Sequence, residues 1–522
     1  MSISVDGGAA PVSRPRAERS GWWFWAALTG IFVLAVAVRL AGTLRGAGLY
    51  GLGNYDDGVH FASALGLING LLPYRDFLLL HPPGVVLAMA PFAALSWPIG
   101  EPDAMAVARL SWMVLGGVNA ALCALVLRPF SRIGGLVAAL FYALSIGAVY
   151  VEHTALLEPP ATTMLLTAMV ITRLLGSGEG IRPRHYLIAG VLLGLSPVIK
   201  IWGIVAVLVL VITIWARRGR RPALVTLAAA AATCTAVCLP FLLAAPGEMW
   251  RMVVVAQLER RRTNERVAER LNDVLGLREW NDGSGEWTVW LAIALLAILA
   301  ATIICLIRVE LRVIAALQIT HAVLVMSTPM WFLHYAGLTA APMALTVGGA
   351  LAATMTWCRA AEGLSPILRR WLPRTLAAVA VLSTLLLAYP MRYLDLSERR
   401  FPAQRLAAGM TAQGGCLTTD WPMALIQLDR LQRDIDRGCR FVVDLGGYSY
   451  YLVDSPYHLE SRRKNLDWQE LALAYYRSGD AVITVRFDTS SGFSERTARI
   501  IESWPVIVRA GGYEIRRPER SE

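Results

Sequence analysis

The chain runs to 522 residues, of which 56% are apolar and only 17% charged, with a mean hydropathy of +0.50. Soluble proteins carry about a quarter of their residues as charge, so this composition excludes an ordinary array of cytosolic domains. Lys+Arg 49 against Asp+Glu 38 gives a net charge of +11. That excess lies in short loops between apolar runs, which implies a membrane partner and not nucleic acid. Lysine occurs only at Lys200 and Lys464, and this arginine usage beside alanine-rich runs suits a GC-rich bacterial genome.

Residues 1–20 are polar and arginine-rich, as expected of a disordered cytoplasmic N-terminus. Apolar segments of spanning length follow at about 22–41, 104–127, 134–151, 157–175, 186–199, 201–216, 223–244, 288–307, 313–328, 336–357 and 375–391. A further stretch, 83–99, is open between a span and an interfacial or re-entrant segment. The basic loops decide for eleven spans. With the N-terminus inside, Arg128/Arg132, Arg182/Arg184, Arg217 to Arg221, Arg308/Arg312 and Arg359 to Arg374 all fall on the inner side.

The expected architecture is a polytopic α-helical membrane protein. Residues 21–391 form its transmembrane domain of about eleven helices, and 392–522 form a small extracytoplasmic α/β domain at the bacterial plasma membrane. In that tail Phe441-Val-Val-Asp-Leu and Ala481-Val-Ile-Thr-Val are strand-like, and Trp421 to Arg437 has helical periodicity. Cys416 and Cys439 bracket the helical segment and read as a disulfide if the tail is outside the cytoplasm. Arg39 and Arg109, near the outer ends of their spans, read as snorkelling side chains.

The first outer loop holds Asn54-Tyr-Asp-Asp-Gly-Val-His60, with the adjacent carboxylates Asp56 and Asp57. An amphipathic stretch, Val59 to Ile68, follows and can lie along the interface. Next comes Gly70-Leu-Leu-Pro-Tyr-Arg-Asp-Phe-Leu-Leu-Leu-His-Pro-Pro-Gly84.

This ordered set resembles the polytopic glycosyltransferases of the C superfamily, in the branch shared by protein O-mannosyltransferases and the aminoarabinose transferases of lipid A. The resemblance covers roughly residues 20–390. It implies transfer of a sugar from a polyprenyl-phosphate carrier to an outer-face acceptor, usually with inversion.

By the same resemblance Asp56 matches the base toward the acceptor hydroxyl and Asp57 the second acidic position. The choice of base between the two stays open. His81 stands where many relatives have Lys. Glu158 and His153, at the second outer loop, fall where relatives keep an acidic residue near the acceptor or sugar. Lys200, closing Gly194-Leu-Ser-Pro-Val-Ile-Lys200, matches a family element, and a lysine among apolar residues needs an anion or the interface. Arg260, Arg261 and Arg262 end an apolar face as a candidate phosphate cluster, and His334-Tyr335 resembles the relatives' polar site near the carrier phosphate. No cofactor is implied, although a divalent cation at Asp56, Asp57 and Glu158 stays open. The expected partners are the bilayer, a polyprenyl-phosphate-sugar donor and an envelope acceptor: glycan, lipid or protein. Mannose and arabinofuranose are the sugars an actinobacterial envelope would supply. The alternative class is a polyprenyl-linked lipid or sugar transporter, which would more often bury paired charges at midspan in repeated halves.

Overall fold

The computed structural model describes residues 21–176, 180–278, 286–389, 396, 400–410, 415–489 and 492–519; the expected disordered segment 1–20 lies outside them. Its first half is built from α1 (Trp22–Arg45), α2 (Tyr55–Ile68), α3 (Gly84–Ala94), α4 (Ser96–Ile99), α5 (Glu101–Leu127), α6 (Arg132–Leu144), α7 (Ile146–Glu152), α8 (Glu158–Ile171), α9 (Pro183–Ile199), α10 (Gly203–Arg218) and α11 (Arg220–Ala244). The second half of the bundle adds α12 (Pro246–Trp250), α13 (Ala256–Leu258), α14 (Val267–Leu275), α15 (Glu286–Ile307), α16 (Arg312–Met326), α17 (Ala336–Ala360) and α18 (Pro366–Ala388).

Each apolar segment coincides with a helix. Among the described residues seven helices are long and apolar enough to cross a membrane, or eight if α6 and α7, bent by 59° at a short break, form one span. The remaining segments, α8, α9 and α10, have 14, 17 and 16 residues, short of the roughly 20 that an upright crossing needs. Exposed Ile293, Leu296, Leu299 and Ile303 on α15 mark a lipid-facing surface. Interior helices meet through small residues. A Cβ on Gly134 would stand 2.6 Å from the Gly348 carbonyl oxygen, so α6 and α17 touch backbone to backbone.

The basic loops gather at one end of this bundle. Arg128 lies over the Trp25 ring at 4.8 Å, and Arg217 reaches the Val309 carbonyl at 3.1 Å while Arg218 reaches that of Gly176 at 2.8 Å.

Arg39 and Arg109 do not snorkel. Both are buried, because each finds a carboxylate on a distant element. Arg39 Nε donates to Glu152 at 2.8 Å; Tyr142 and Asn119 also donate to Glu152, at 2.7 and 2.9 Å. Removing one partner of a fully buried pair strands the other charge, so Arg39→Met should cost about 3–5 kcal/mol. Thermal unfolding of the detergent-solubilised variant measures it.

After the bundle come α19 (Ala403–Gly409), α20 (Pro422–Gln427), α21 (Leu431–Asp436), α22 (Tyr448–Tyr451), α23 (Leu466–Arg477) and α24 (Glu495–Ser503). They surround a four-stranded sheet in the order β1-β2-β4-β3, with β1 (Leu417–Thr419) parallel to β2 (Ala481–Ile483) and β4 (Tyr513–Arg516) antiparallel to both β2 and β3 (Val506–Ala510).

Three local expectations change here. The helix expected over Trp421 to Arg437 is two short ones, broken at Asp429, whose φ of 53° is left-handed. Its carboxylate accepts the Glu101 N–H at 3.0 Å, while Glu101 caps α21 by accepting from Gln432 at 2.7 Å and Leu431 at 3.1 Å. The run from Phe441 to Leu445 is not a strand: Phe441 is spent on Phe77, ring to ring at 5.3 Å. Nor does α2 lie at an interface. It is buried between α3 and the tail, and a Cβ on Gly58 would meet the Met423 nitrogen at 2.9 Å. One apolar core therefore runs from α2, α3 and α5 into the sheet.

Cys416 and Cys439 are joined as a disulfide with Cα atoms 5.7 Å apart and a sequence separation of 23. Closing such a loop limits the unfolded chain by about 3 kcal/mol in the entropy model. Reduction should lower the melting temperature of the intact protein, and thiol alkylation before reduction should leave both cysteines unlabelled.

Candidate active site

Asn54 caps α2: its side chain accepts the Asp56 N–H at 2.9 Å and fixes the helix's first turn. Successive helical residues point about 100° apart, so the two aspartates must diverge. Asp57 turns inward. It is fully buried, taking Arg109 Nε at 3.1 Å and Nη2 at 2.9 Å and the Thr154 hydroxyl. Arg109 also donates to the Gly51 carbonyl at 2.9 Å, tying the loop before α2 to the same carboxylate. Asp56 turns outward, 36% exposed, into a cleft of about 500 Å³ counted with its open mouth.

One wall of that cleft comes from the bundle: Asp56, His81, Arg260, His334 and Tyr335. His334 Nδ1 stands 3.9 Å from Asp56, and its Nε2 4.0 Å from Glu158. Arg260 Nη1 donates to the Tyr335 hydroxyl at 3.4 Å, its guanidinium lies over the Tyr450 ring at 4.8 Å, and its Nε is buried with no hydrogen-bond partner. His81 lies 6.2 Å, ring to ring, from His60. Burial first, then the positive fields of His60, Lys200 and Arg260, hold its imidazole well below the usual histidine range. His81 is therefore neutral near pH 7, a hydrogen-bonding group and not a cation.

Arg260 and Tyr335 also line a second groove, about 890 Å³ and mainly apolar, between Ile201 to Val205, Val253 to Leu258 and Leu324 to Met330. Polar cleft and apolar groove thus meet at one guanidinium.

Lys200 lies behind that wall. It is buried, pairs with Glu158, and sits over the rings of Trp202 and Tyr335 at 4.7 and 4.8 Å. Glu158 Oε2 has no hydrogen-bond partner. Arg261 and Arg262 follow a short π-helical turn (Arg251–Val255) and α13, on irregular chain; they lie outside the polar cleft, in an open groove with His458 and Leu459. His153 also stands apart from the cleft: it is buried, with Nδ1 2.6 Å from the Tyr150 carbonyl. Asp57 and Glu158 are each committed to a cation of the chain. Among the described residues no group of three or more His, Cys, Asp or Glu is placed to hold a metal ion.

The opposite wall, from the tail, was not singled out in the sequence: Asp444, Gly446, Gly447, Tyr450, Arg462 and Arg486. The Tyr55 hydroxyl donates to Asp444 Oδ1 at 2.9 Å, and the Gly447 N–H donates to the same oxygen at 2.6 Å. Burial, and next the Asp56 charge, push the Asp444 carboxyl above the usual range. Arg486 lies 3.8 Å over the Tyr55 ring. The only signal in the sequence is Asp444-Leu-Gly-Gly447, a turn pattern after an apolar run.

The model of Glycosyltransferase family 87 matches residues 79–329, a stretch that begins after the acidic pair and contains His81, Glu158, Lys200 and Arg260. The structure is similar to ArnT from Cupriavidus metallidurans in the apo state, with TM-score 0.58 and 13% identity over 94% of this chain and 98% of that one. The same protein bound to undecaprenyl phosphate gives 0.57 and 13% over 95% and 98%. The apo oligosaccharyltransferase of Archaeoglobus fulgidus gives 0.57 and 11% over 93% and 73%. No curated protein sequence matches the chain. Taken with the family match, the fold places the chain in the glycosyltransferase C superfamily. It is a multi-pass membrane glycosyltransferase.

Proposed function

We propose that the protein transfers a sugar from a polyprenyl-phosphate carrier to a cell-envelope acceptor on the outer face of the plasma membrane, with inversion. The observation that carries this reading is the junction at Arg260 and Tyr335, where an apolar groove opens into a polar cleft containing Asp56. A polyprenyl chain fits the groove by chemistry, its phosphate falls at the guanidinium, and its sugar extends toward Asp56. The ArnT structure with undecaprenyl phosphate makes such a carrier the natural candidate.

Asp56 accepts the proton of the acceptor hydroxyl as its oxygen attacks the anomeric carbon. The bond from that carbon to the phosphate oxygen breaks, and Arg260 takes up the charge of the leaving phosphate. His334 holds a place between Asp56 and Glu158, and Lys200 offsets Glu158 behind it. Neutral His81 supplies a hydrogen bond on the same wall. The arginine-rich loops at the opposite end of the bundle support an orientation with that end inside and the cleft outside.

The test uses labelled polyprenyl-phosphate sugar with purified protein in detergent and an envelope acceptor extract. Loss of label from the carrier with gain in the acceptor is expected. Movement of the lipid only in sealed vesicles, with no transfer in detergent, would make the protein a transporter.

A further inference from the structure

Resting on the reading above, we infer that the tail wall, built around Asp444 and Arg486, is the acceptor subsite, and that the acceptor it takes is a glycan. Position argues for the first part. The carrier phosphate is assigned to Arg260, on the bundle wall where the groove enters, and an inverting attack must come from the side of the anomeric carbon opposite the phosphate. The acceptor hydroxyl then lies between Asp56 and whatever closes the cleft beyond it, which is the tail. Tyr55, the neighbour of Asp56, is hydrogen-bonded to Asp444 at 2.9 Å, so base and tail wall are held in register by a direct link.

Chemistry argues for the glycan. Asp444 Oδ1 receives Tyr55 and the Gly447 N–H. Asp444 lines the cleft, where its carboxylate can also accept from sugar hydroxyls. The Arg486 guanidinium lies 3.8 Å over the Tyr55 ring, and that of Arg462, 5.4 Å over Tyr450, is oriented by donating to the Ser449 and Tyr450 hydroxyls at 3.1 and 3.0 Å. A carboxylate beside oriented N–H donors matches vicinal hydroxyls, which offer both donor and acceptor. A peptide acceptor would want backbone partners, but the Gly446 and Gly447 N–H groups are already taken by the Tyr55 hydroxyl at 3.2 Å and by Asp444 at 2.6 Å. A lipid acceptor would call for an apolar wall, whereas Asp444, Arg462 and Arg486 make this one polar and charged.

The experiment uses the full-length protein with total polyprenyl-linked lipid of the native host and, separately, its envelope glycan, lipid and protein fractions. Free sugar, transferred sugar and released polyprenyl phosphate are measured by mass spectrometry. Wild-type product is expected in the glycan fraction. Asp444→Asn should keep releasing polyprenyl phosphate while the ratio of free to transferred sugar rises about tenfold or more, the loss expected for one charged hydrogen bond. Arg486→Gln should shift the ratio the same way, which keeps the test decisive if Asp444→Asn fails to fold, and Asp444→Glu should recover part of the transfer. Product in the lipid or protein fraction, or an unchanged ratio in the variants, overturns the inference. Absence of carrier turnover in the wild type would instead overturn the donor reading on which it rests.

Discussion

Asp56→Asn is expected to lower transfer by roughly 10²–10⁴, the usual worth of a positioned general base, while the protein folds and extracts as before. Its carboxylate stands 3.9 Å from His334 Nδ1, beyond hydrogen-bonding distance, and belongs to no buried ion pair with Arg or Lys among the described residues. Asp57→Asn should behave differently. Its carboxylate is fully buried against Arg109 at 2.9 Å, and that guanidinium would lose its counter-charge. Breaking such a pair costs about 3–5 kcal/mol, so the loss should appear as lower melting temperature and yield before it appears as chemistry. The pair of measurements is transfer rate and thermal unfolding on both variants. A stable, inactive Asp57→Asn beside an active Asp56→Asn would move the base by one residue.

Arg260→Ala should cut turnover by roughly 10²–10³, the cost of removing one fixed donor to developing charge, and should weaken the donor's apparent affinity with the acceptor's unmoved. Arg260→Lys should restore part of this. An ammonium keeps the charge but loses the planar fork and the stacking on Tyr450 at 4.8 Å. Lys200→Ala makes the contrast. The structure pairs Lys200 with Glu158 behind the wall, so this variant should lose stability first. A larger donor-affinity loss in Lys200→Ala than in Arg260→Ala would place the phosphate at the lysine.

Much of this site was legible in the chain. Acidic residues just past an apolar run, Lys200 among apolar neighbours and His334-Tyr335 before another run each stand out locally, because a charge beside a membrane segment needs a reason. What pairs with what did not show. Arg39 looks solitary in its apolar run, yet its partner Glu152 is 113 positions away, and Arg109 finds Asp57 at 52. Which of two adjacent aspartates faces a cleft depends on helical phase, set by the Asn54 cap and not by either residue. The tail wall was least legible. Asp444 and Arg486 are single charges in a polar region where charges are common, and only the packing of α2 beneath the tail brings them to Asp56. In Trp421 to Arg437 the apolar spacing was right for a helix, but Asp429 is drawn into a left-handed turn by its bond to the Glu101 N–H.

The central claim is that carrier phosphate and prenyl chain occupy the junction of the two grooves. A cryo-electron microscopy structure of the protein with polyprenyl phosphate tests it most directly. The account predicts phosphate density within hydrogen-bonding distance of the Arg260 guanidinium and chain density between Ile201 to Val205 and Val253 to Leu258. Phosphate at Arg261 and Arg262 in the outer groove, or a chain lying elsewhere on the bundle with Arg260 unoccupied, would contradict it.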